Sequence, residues 1–496
     1  MSNKYIIGID QSTQGTKALL FDADGNMLLR TDMPHEQIIN EKGWVEHNPD
    51  EIYKNTISVV KDLVEKSEIN KADVVGVGIS NQRETAVVWN KTTGEPIYNA
   101  IVWQCARGAA ICDEIAKKEG VLDLVSSHTG LALSPYFSAA KIAWVLQNVE
   151  GAAQLAAEHN ICHGTVDSFL VYRLTKEHAY KTDYSNASRT QMFNISELKW
   201  DKQVCELFGI DVENLAKVCD SNSCFGRTDF EGYFDEPIPI HSVLGDSHGA
   251  LFGQGCLEKG MIKSTYGTGS SVMMNIGDKP IFSKHGVVTS LAWGMDGEVN
   301  YVLEGNINYT GAVISWLQKD LKLIASAKET QELAMSANPA DKSYLVPAFS
   351  GLGAPYWDSN ATGIFCGMTR VTGQAEMVRA ALDCIAYQIT DIVEAMGEDA
   401  SLDIKELRVD GGPTRNEYLM QFQSDILTIP VQVPDAEELS GIGVAYAAGI
   451  ALGLYNKKEI FSKMKRTKFE PVMETAVRQD KYAGWKEAVS LVLTNK

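Results

Sequence analysis

Cysteine is sparse and unpatterned in this chain of 496 residues: there are nine, and none forms a Cys-x-x-Cys pair. That spacing excludes both a disulfide scaffold and a paired-cysteine zinc site. His-Glu-x-x-His is missing, as is any Gly-Lys dipeptide. A helical zinc site and a Walker A loop therefore drop out. Asp246-Ser247-His248 has the residue types of a catalytic triad, but sequence neighbours cannot converge as triad members do. Long hydrophobic runs are lacking too. The most apolar stretch, residues 443–455, has 13 residues, short of the roughly 18 that span a bilayer. No hydrophobic leader precedes the strand-like segment at Tyr5, so the expected setting is the cytoplasm, with reduced thiols and no membrane insertion.

Positive charge is in deficit. Lys and Arg number 45 against 64 Asp and Glu, a net charge of −19. Such a field repels phosphate backbones, so nucleic acid is not an expected partner. Proline is scarce at 14 beside 41 glycines, which points to tight turns rather than low complexity. Apolar residues make up 45% and charged residues 22%, which is ordinary globular usage. The length alone predicts about three domains.

What is present is a repeated strand–loop–strand pattern. Residues 5–10 are an apolar run ending in Asp10, a polar turn follows, and Thr16 to Asp22 resumes as a strand. Asp24-Gly25 is a hairpin signal before a third strand. Asn48 as N-cap and Pro49 at the first helical position predict a helix to Lys66, and residues 74–79 read as a buried strand. The second half echoes the opening. A strand at 261–266 leads into Gly267-Thr268-Gly269-Ser270-Ser271, and a further strand follows at 272–275. The echo implies a duplicated α/β plan with a boundary within residues 245–260. Gly441 and Gly443 lack the third glycine of a dinucleotide fingerprint and read as helix packing.

A hairpin of successive N–H groups and hydroxyls can cradle phosphate oxygens, while an acid at the strand end attracts Mg²⁺. Asp10 with Ser12 to Thr16 is one such candidate. Gly267-Thr268-Gly269 is a second, and Asp410-Gly411-Gly412 offers a third close backbone approach. Any one alone is most often a plain turn; three together favour nucleotide binding.

Further segments carry a resemblance. They include Asn81-Gln82-Arg83-Glu84-Thr85, Ile101-Val102-Trp103-Gln104, Pro135-Tyr136-Phe137-Ser138 and Asn186-Ala187-Ser188-Arg189-Thr190. Gly245-Asp246, Tyr266-Gly267-Thr268-Gly269 and Arg408-Val409-Asp410-Gly411-Gly412 continue it. With these, the chain resembles the FGGY family of carbohydrate kinases over nearly its whole length, and within it the branch that phosphorylates glycerol.

The resemblance implies two actin-like (ribonuclease H-like) α/β domains with a catalytic cleft between them. Residues 1–250 would bind the acceptor and hold the first phosphate loop, and residues 251–496 would bind the nucleotide. It implies Asp246 as general base, with Arg83, Glu84, Trp103, Tyr136, Ser247 and Ser271 at the acceptor polyol. Thr13, Gln14, Gly15, Thr268, Gly311, Gly412 and Asn416 would lie at ATP, and Asp10 with Asp246 would hold Mg²⁺ through water. A homodimer or homotetramer is the implied assembly.

These roles suit the residues. A hydroxyl must lose its proton as the new P–O bond forms, and a carboxylate such as Asp246 accepts it. Arg83 and Glu84 pair a donor fork with an acceptor, fit for two vicinal hydroxyls, and the face of Trp103 suits a carbon chain. His248 reads as a satisfied polar residue near the cleft rather than an acceptor contact.

Three departures stand out. Glycerol-phosphorylating members typically read Gly-Asp-Gln-Gln where this chain reads Gly245-Asp246-Ser247-His248, and they place an aromatic where Ser271 stands. Both changes favour a wider, wetter pocket for a tetritol, pentitol or ketopentose. Ser315 replaces a glutamine on the nucleotide side. Residues 227–237 also lack the basic glycine-rich loop and the histidine that serve regulation in some members, so neither control is expected. Glycerol is the nearest named acceptor, a larger polyol or ketose the alternative, and a non-catalytic polyol sensor the rival of another class.

Overall fold

In the computed structural model the described residues are 4–494; residues 1–3 and 495–496, which end the two expected domains, lie outside them. The opening meander forms as the sequence predicts. Strands β1 (Tyr5–Gln11), β2 (Gly15–Phe21) and β3 (Met27–Pro34) run antiparallel. Helix α1 (Pro49–Ser67) starts at Asn48, whose side chain accepts from the N–H groups of Asp50 and Glu51. Strand β4 (Val74–Asn81) pairs parallel with β1.

Helix α2 (Ser138–Asn148) belongs to a second layer, built beside the short strands Val45–His47, Ala86–Asn90, Ala100–Ile101 and Ile161–Thr165. Strands β5 (Gly226–Thr228) and β6 (Ile238–Gly245) complete a six-stranded sheet in the order β5-β6-β4-β1-β2-β3. Helix α3 (Asp246–Gly253) leaves the end of β6 directly.

The second sheet repeats the plan. Strands β7 (Ile262–Tyr266), β8 (Ser270–Gly277), β9 (Val288–Met295) and β10 (Glu298–Ile307) are antiparallel neighbours. Helix α4 (Gly311–Lys319) follows, then the long α5 (Gln374–Ala400). Strand β11 (Leu407–Asp410) pairs parallel with β7, as β4 does with β1. Strand β12 (Val431–Pro434), helix α6 (Leu439–Ala451) and strand β13 (Arg466–Phe469) close the order β9-β10-β8-β7-β11-β12-β13. The first strand of each half thus has an antiparallel hairpin partner on one side and a parallel partner on the other.

β1 and β4 are buried almost throughout, since α1 and the helix Val166–Leu174 lie on the sheet's one face and α6 on the other. Strands covered on both faces read as continuous apolar runs, not alternations. Helix α6 comes late in the chain yet packs on β1, β4 and α3. Glycine permits that approach: a Cβ on Gly443 would stand 1.9 Å from the Gly249 carbonyl oxygen, and one on Gly78 would stand 2.3 Å from that of Val444. The Gly441/Gly443 pair therefore serves helix packing, and the apolar 443–455 stretch is an interior segment. No helix among the described residues is long and apolar enough to cross a membrane.

Candidate active site

The parallel strands end in one row. Gln11 of β1 is the register partner of Asn81 on β4, and Asn81 is that of Gly245 on β6. Crevices beyond the carboxyl ends of parallel strands are where open α/β sheets bind ligands. The row delivers Asp10, Arg83 and Asp246 to one place.

Arg83 and Glu84 leave β4 through a tight turn in which the Thr85 N–H donates to the Arg83 carbonyl at 2.7 Å. Glu84 has φ of 59°, a left-handed conformation that costs about 1–3 kcal/mol in a side-chain-bearing residue. Arg83 lies over Gly245, where a Cβ would stand 2.6 Å from its Cγ. Its Nε donates to Asp246 Oδ1 at 3.0 Å and its Nη2 to Ser247 Oγ at 3.1 Å. Nη1 and Nη2 also donate to the two oxygens of Glu304, at 2.9 and 3.0 Å. Four of the five N–H groups of a guanidinium are thereby engaged within the protein. The expected open fork for two vicinal hydroxyls is a nearly closed one, and Glu84 is likewise buried, accepting from Arg189 Nε at 2.5 Å.

Asp246 is the open member of this cluster. As the first residue of α3 it keeps 36% of its side chain exposed, against 6% for Arg83 and none for Glu304. Its backbone is held from two sides: the Gly245 N–H donates to Ser185 Oγ, and Ser440 Oγ donates to the Asp246 carbonyl. Trp103 and Tyr136 stand together with ring centroids 5.6 Å apart, and Trp103 Nε1 donates to Thr13 Oγ1 at 3.0 Å. Trp103 thus touches the first loop directly. Burial, reinforced by the negative charge of Glu84, pushes the Tyr136 phenol far up, so it is a neutral donor.

His248 is fully buried, and neither ring nitrogen has a hydrogen-bond partner among the described residues. It is enclosed rather than satisfied, which corrects the sequence reading. Burial and the charge of Arg83 hold its pKa well below the usual histidine range.

The two hairpins have the expected form. In the first, the Ser12 N–H and Oγ both donate to the Gly15 carbonyl, leaving Gln14 exposed at the tip. In the second, the Gly267 N–H donates to the Gly269 carbonyl and Thr268 is exposed. The Gly311 N–H at the start of α4 donates to the Gly267 carbonyl, and a Cβ on Gly311 would stand 2.7 Å from that oxygen. Gly412 faces open space, in the wall of a cavity of about 330 Å³ that also includes Lys17, Asp410 and Glu438. Asn416 caps the helix Glu417–Leu427, its side chain accepting from the Leu419 N–H and donating to Thr330. Ser315 lies on α4.

Asp10 fits a divalent cation. Its Oδ1 is buried with no hydrogen-bond partner among the described residues. Burial pushes its pKa up to about 6; Lys17, 4.0 Å away, opposes this, while Asp246 and Glu438 add to it. Carboxylate oxygens are donors that Mg²⁺ prefers, but Lys17 and Arg30 already pair with Glu438 and Arg83 with Asp246, and no group of three or more such ligands stands together among the described residues.

Sequence reasoning missed Glu304, Lys141 and the role of Arg189. Each had a signal. Glu304 is an acid inside the apolar strand Tyr301-Val302-Leu303, and Lys141 is the lone charge in the apolar first turns of α2. Lys141 is fully buried, its Nζ donating to the carbonyls of Pro135, Tyr136 and Phe137.

Comparison with known proteins identifies the family. The N-terminal domain of the FGGY family of carbohydrate kinases matches residues 5–253, and the family's C-terminal domain matches residues 262–452. The chain belongs to the FGGY family of carbohydrate kinases. It is 48% identical to glycerol kinase 1 of Thermotoga maritima, over 99% of this chain and 100% of that protein. It is 46% identical to the glycerol kinase of Alkaliphilus oremlandii, over 99% and 97%. Among solved structures, Plasmodium falciparum glycerol kinase with ADP superposes with a TM-score of 0.93 at 33% identity, covering 100% of this chain and 99% of its own. A xylulose kinase from Lactobacillus acidophilus shares the fold with a TM-score of 0.87 at 21% identity, over 98% and 97%.

Proposed function

We propose that this protein transfers the γ-phosphoryl group of ATP to a terminal hydroxyl of a small polyol, with glycerol as acceptor and glycerol 3-phosphate and ADP as products. The observation that carries the reading is the single open carboxylate, Asp246, set in an otherwise buried cluster of Arg83, Arg189, Glu84 and Glu304. Full-length similarity to glycerol kinases supports the acceptor.

In this reading residues 1–250 hold the polyol and the first phosphate loop, and residues 251–496 hold the nucleotide. Asp246 takes the hydroxyl proton as the oxygen bonds to the γ-phosphorus, and the bond to the ADP oxygen breaks. Arg83 fixes Asp246 and Ser247, Trp103 and Tyr136 wall the carbon chain, and Glu84 holds Arg189. Ser271 borders the acceptor beside Glu304. Thr13, Gln14 and Gly15 with Thr268, Gly311 and Gly412 line the phosphates, and Asn416 holds the nucleotide side through its helix cap. Mg²⁺, held near Asp10 and Asp246 through water, would neutralise phosphate charge. A homodimer or homotetramer in the cytoplasm completes the reading, on family resemblance alone.

A second reading, a larger polyol or ketose as acceptor, is supported by the small side chains Ser247 and Ser271. Assaying ATP-dependent phosphorylation of glycerol, tetritols, pentitols and ketopentoses tests both. A kcat/KM highest for glycerol supports the first reading, and one highest for a longer acceptor supports the second. No turnover of any acceptor defeats both.

A further inference from the structure

Glu304 belongs to the second sheet, on β10, yet its partners belong to the first half of the chain. Its side chain is fully enclosed. It meets Arg83 end-on through two hydrogen bonds, at 2.9 and 3.0 Å. On its other side Arg189 Nη1 stands 3.1 Å from the same Oε2 that Arg83 Nη1 reaches. Ser271 Oγ, on the neighbouring strand β8, lies 3.5 Å from Oε1.

Two guanidinium groups this close repel unless a carboxylate stands between them. Bidentate geometry fixes a guanidinium's plane as well as its position. That plane matters here, because the same Arg83 holds Asp246 through Nε, and Arg189 holds Glu84. The orientation of every charged group at the acceptor side therefore passes through one carboxylate supplied by the opposite half.

We infer that Glu304 is the positioning residue of the acceptor site: seated between Arg83 and Arg189, it makes acceptor affinity depend on the second sheet being docked against the first. The inference rests on the proposed function for the identity of the acceptor as a polyol. In the proposed reading the nucleotide contacts lie elsewhere, on the two hairpins, at Gly311 and at Gly412 and Asn416, and none of these residues bonds to Glu304, whose partners are Arg83, Arg189 and Ser271.

The test compares Glu304→Asp, which keeps the charge but retracts it by one methylene, with Glu304→Gln, which keeps the shape and loses the charge. Acceptor KM, ATP KM, kcat and the melting temperature are measured for both and for the unaltered enzyme. Expected is a rise in acceptor KM of tenfold or more in both variants, larger for Glu304→Gln, with ATP KM within twofold. Should Glu304→Gln fail to fold, Glu304→Asp carries the comparison alone. An acceptor KM within twofold of the unaltered enzyme overturns the inference, as does a parallel rise of both KM values, the pattern of a merely structural ion pair. If the unaltered protein phosphorylates no acceptor, only the kinase reading falls. Polyol-induced rises in melting temperature then decide: loss of the rise in Glu304→Asp supports the inference, and an equal rise in both proteins overturns it.

Discussion

Arg83 Nε stands 3.0 Å from Asp246 Oδ1, so the one open carboxylate of the cluster is aimed by a guanidinium whose other donors are turned away from it. An amide oxygen at position 246 still accepts that bond but no longer takes a proton. Asp246→Asn is expected to lower kcat by about 10²–10⁴-fold, the usual contribution of general-base catalysis. Steady-state assays check it, and a kcat within tenfold of the unaltered enzyme removes Asp246 from the proton path.

Lys141 gathers three consecutive carbonyls and so sets the approach of Tyr136 to Trp103. Lys141→Met leaves those largely enclosed oxygens without their donor, a loss of about 1–3 kcal/mol. A lower melting temperature together with a higher acceptor KM is expected. If the melting temperature falls while acceptor KM holds, Lys141 supports the fold and not the site.

Ser271 is half-buried at the border of the acceptor region and touches Glu304. An aromatic there adds apolar wall and removes room. Ser271→Phe is expected to raise the preference for glycerol over tetritols by about tenfold or more, the scale of a few lost or gained apolar contacts. An unchanged ratio of kcat/KM values shows that Ser271 does not border the acceptor's far end.

His47 is fully enclosed, and its Nδ1 pairs with the Glu36 carbonyl at 3.0 Å. Burial depresses its pKa from 6.5 to about 4. The unfolded chain therefore binds the proton first as pH falls. The stabilisation linked to this residue is full above pH 6.5 and is lost as pH drops toward 4, about 3 kcal/mol in all. His47→Gln should be less stable than the unaltered protein at pH 7.5, with the gap closing by pH 4.5. A gap constant across that range contradicts the assignment.

At the crossing of α3 and α6, Gly443→Ala forces a methyl group onto the Gly249 carbonyl oxygen. Backbone cannot step aside as a flexible side chain can, so the cost sits at or above the upper end of the usual 1–3 kcal/mol for overpacking. Denaturant unfolding measures it. A loss below 1 kcal/mol shows that the helices part easily.

The sequence displayed the scaffold well, because its signals are local. The β1–β2–β3 meander, the Asn48 cap and the echo at β7–β8 all depend on residues adjacent in the chain, and each formed where expected. Arg83 also meets Asp246, and Trp103 meets Tyr136. What stayed hidden depends on contacts between distant segments. Glu304 lies 221 residues beyond Arg83, and no spacing rule links them. The seat of α6 on the first sheet was equally invisible, since its glycines tell of close approach but not of the partner approached.

That seat has a further consequence. Where α3 and α6 cross at Gly249 and Gly443, the helices meet main chain to main chain, with no side chain at that point to change rotamer. A swivel about such a point displaces the outer rims of both halves by more than the point itself. The crossing is a fulcrum, and Asp246 stands on its first turn, where leverage moves an atom least. A rotation about that point would leave Asp246 nearly in place while the outer rims moved.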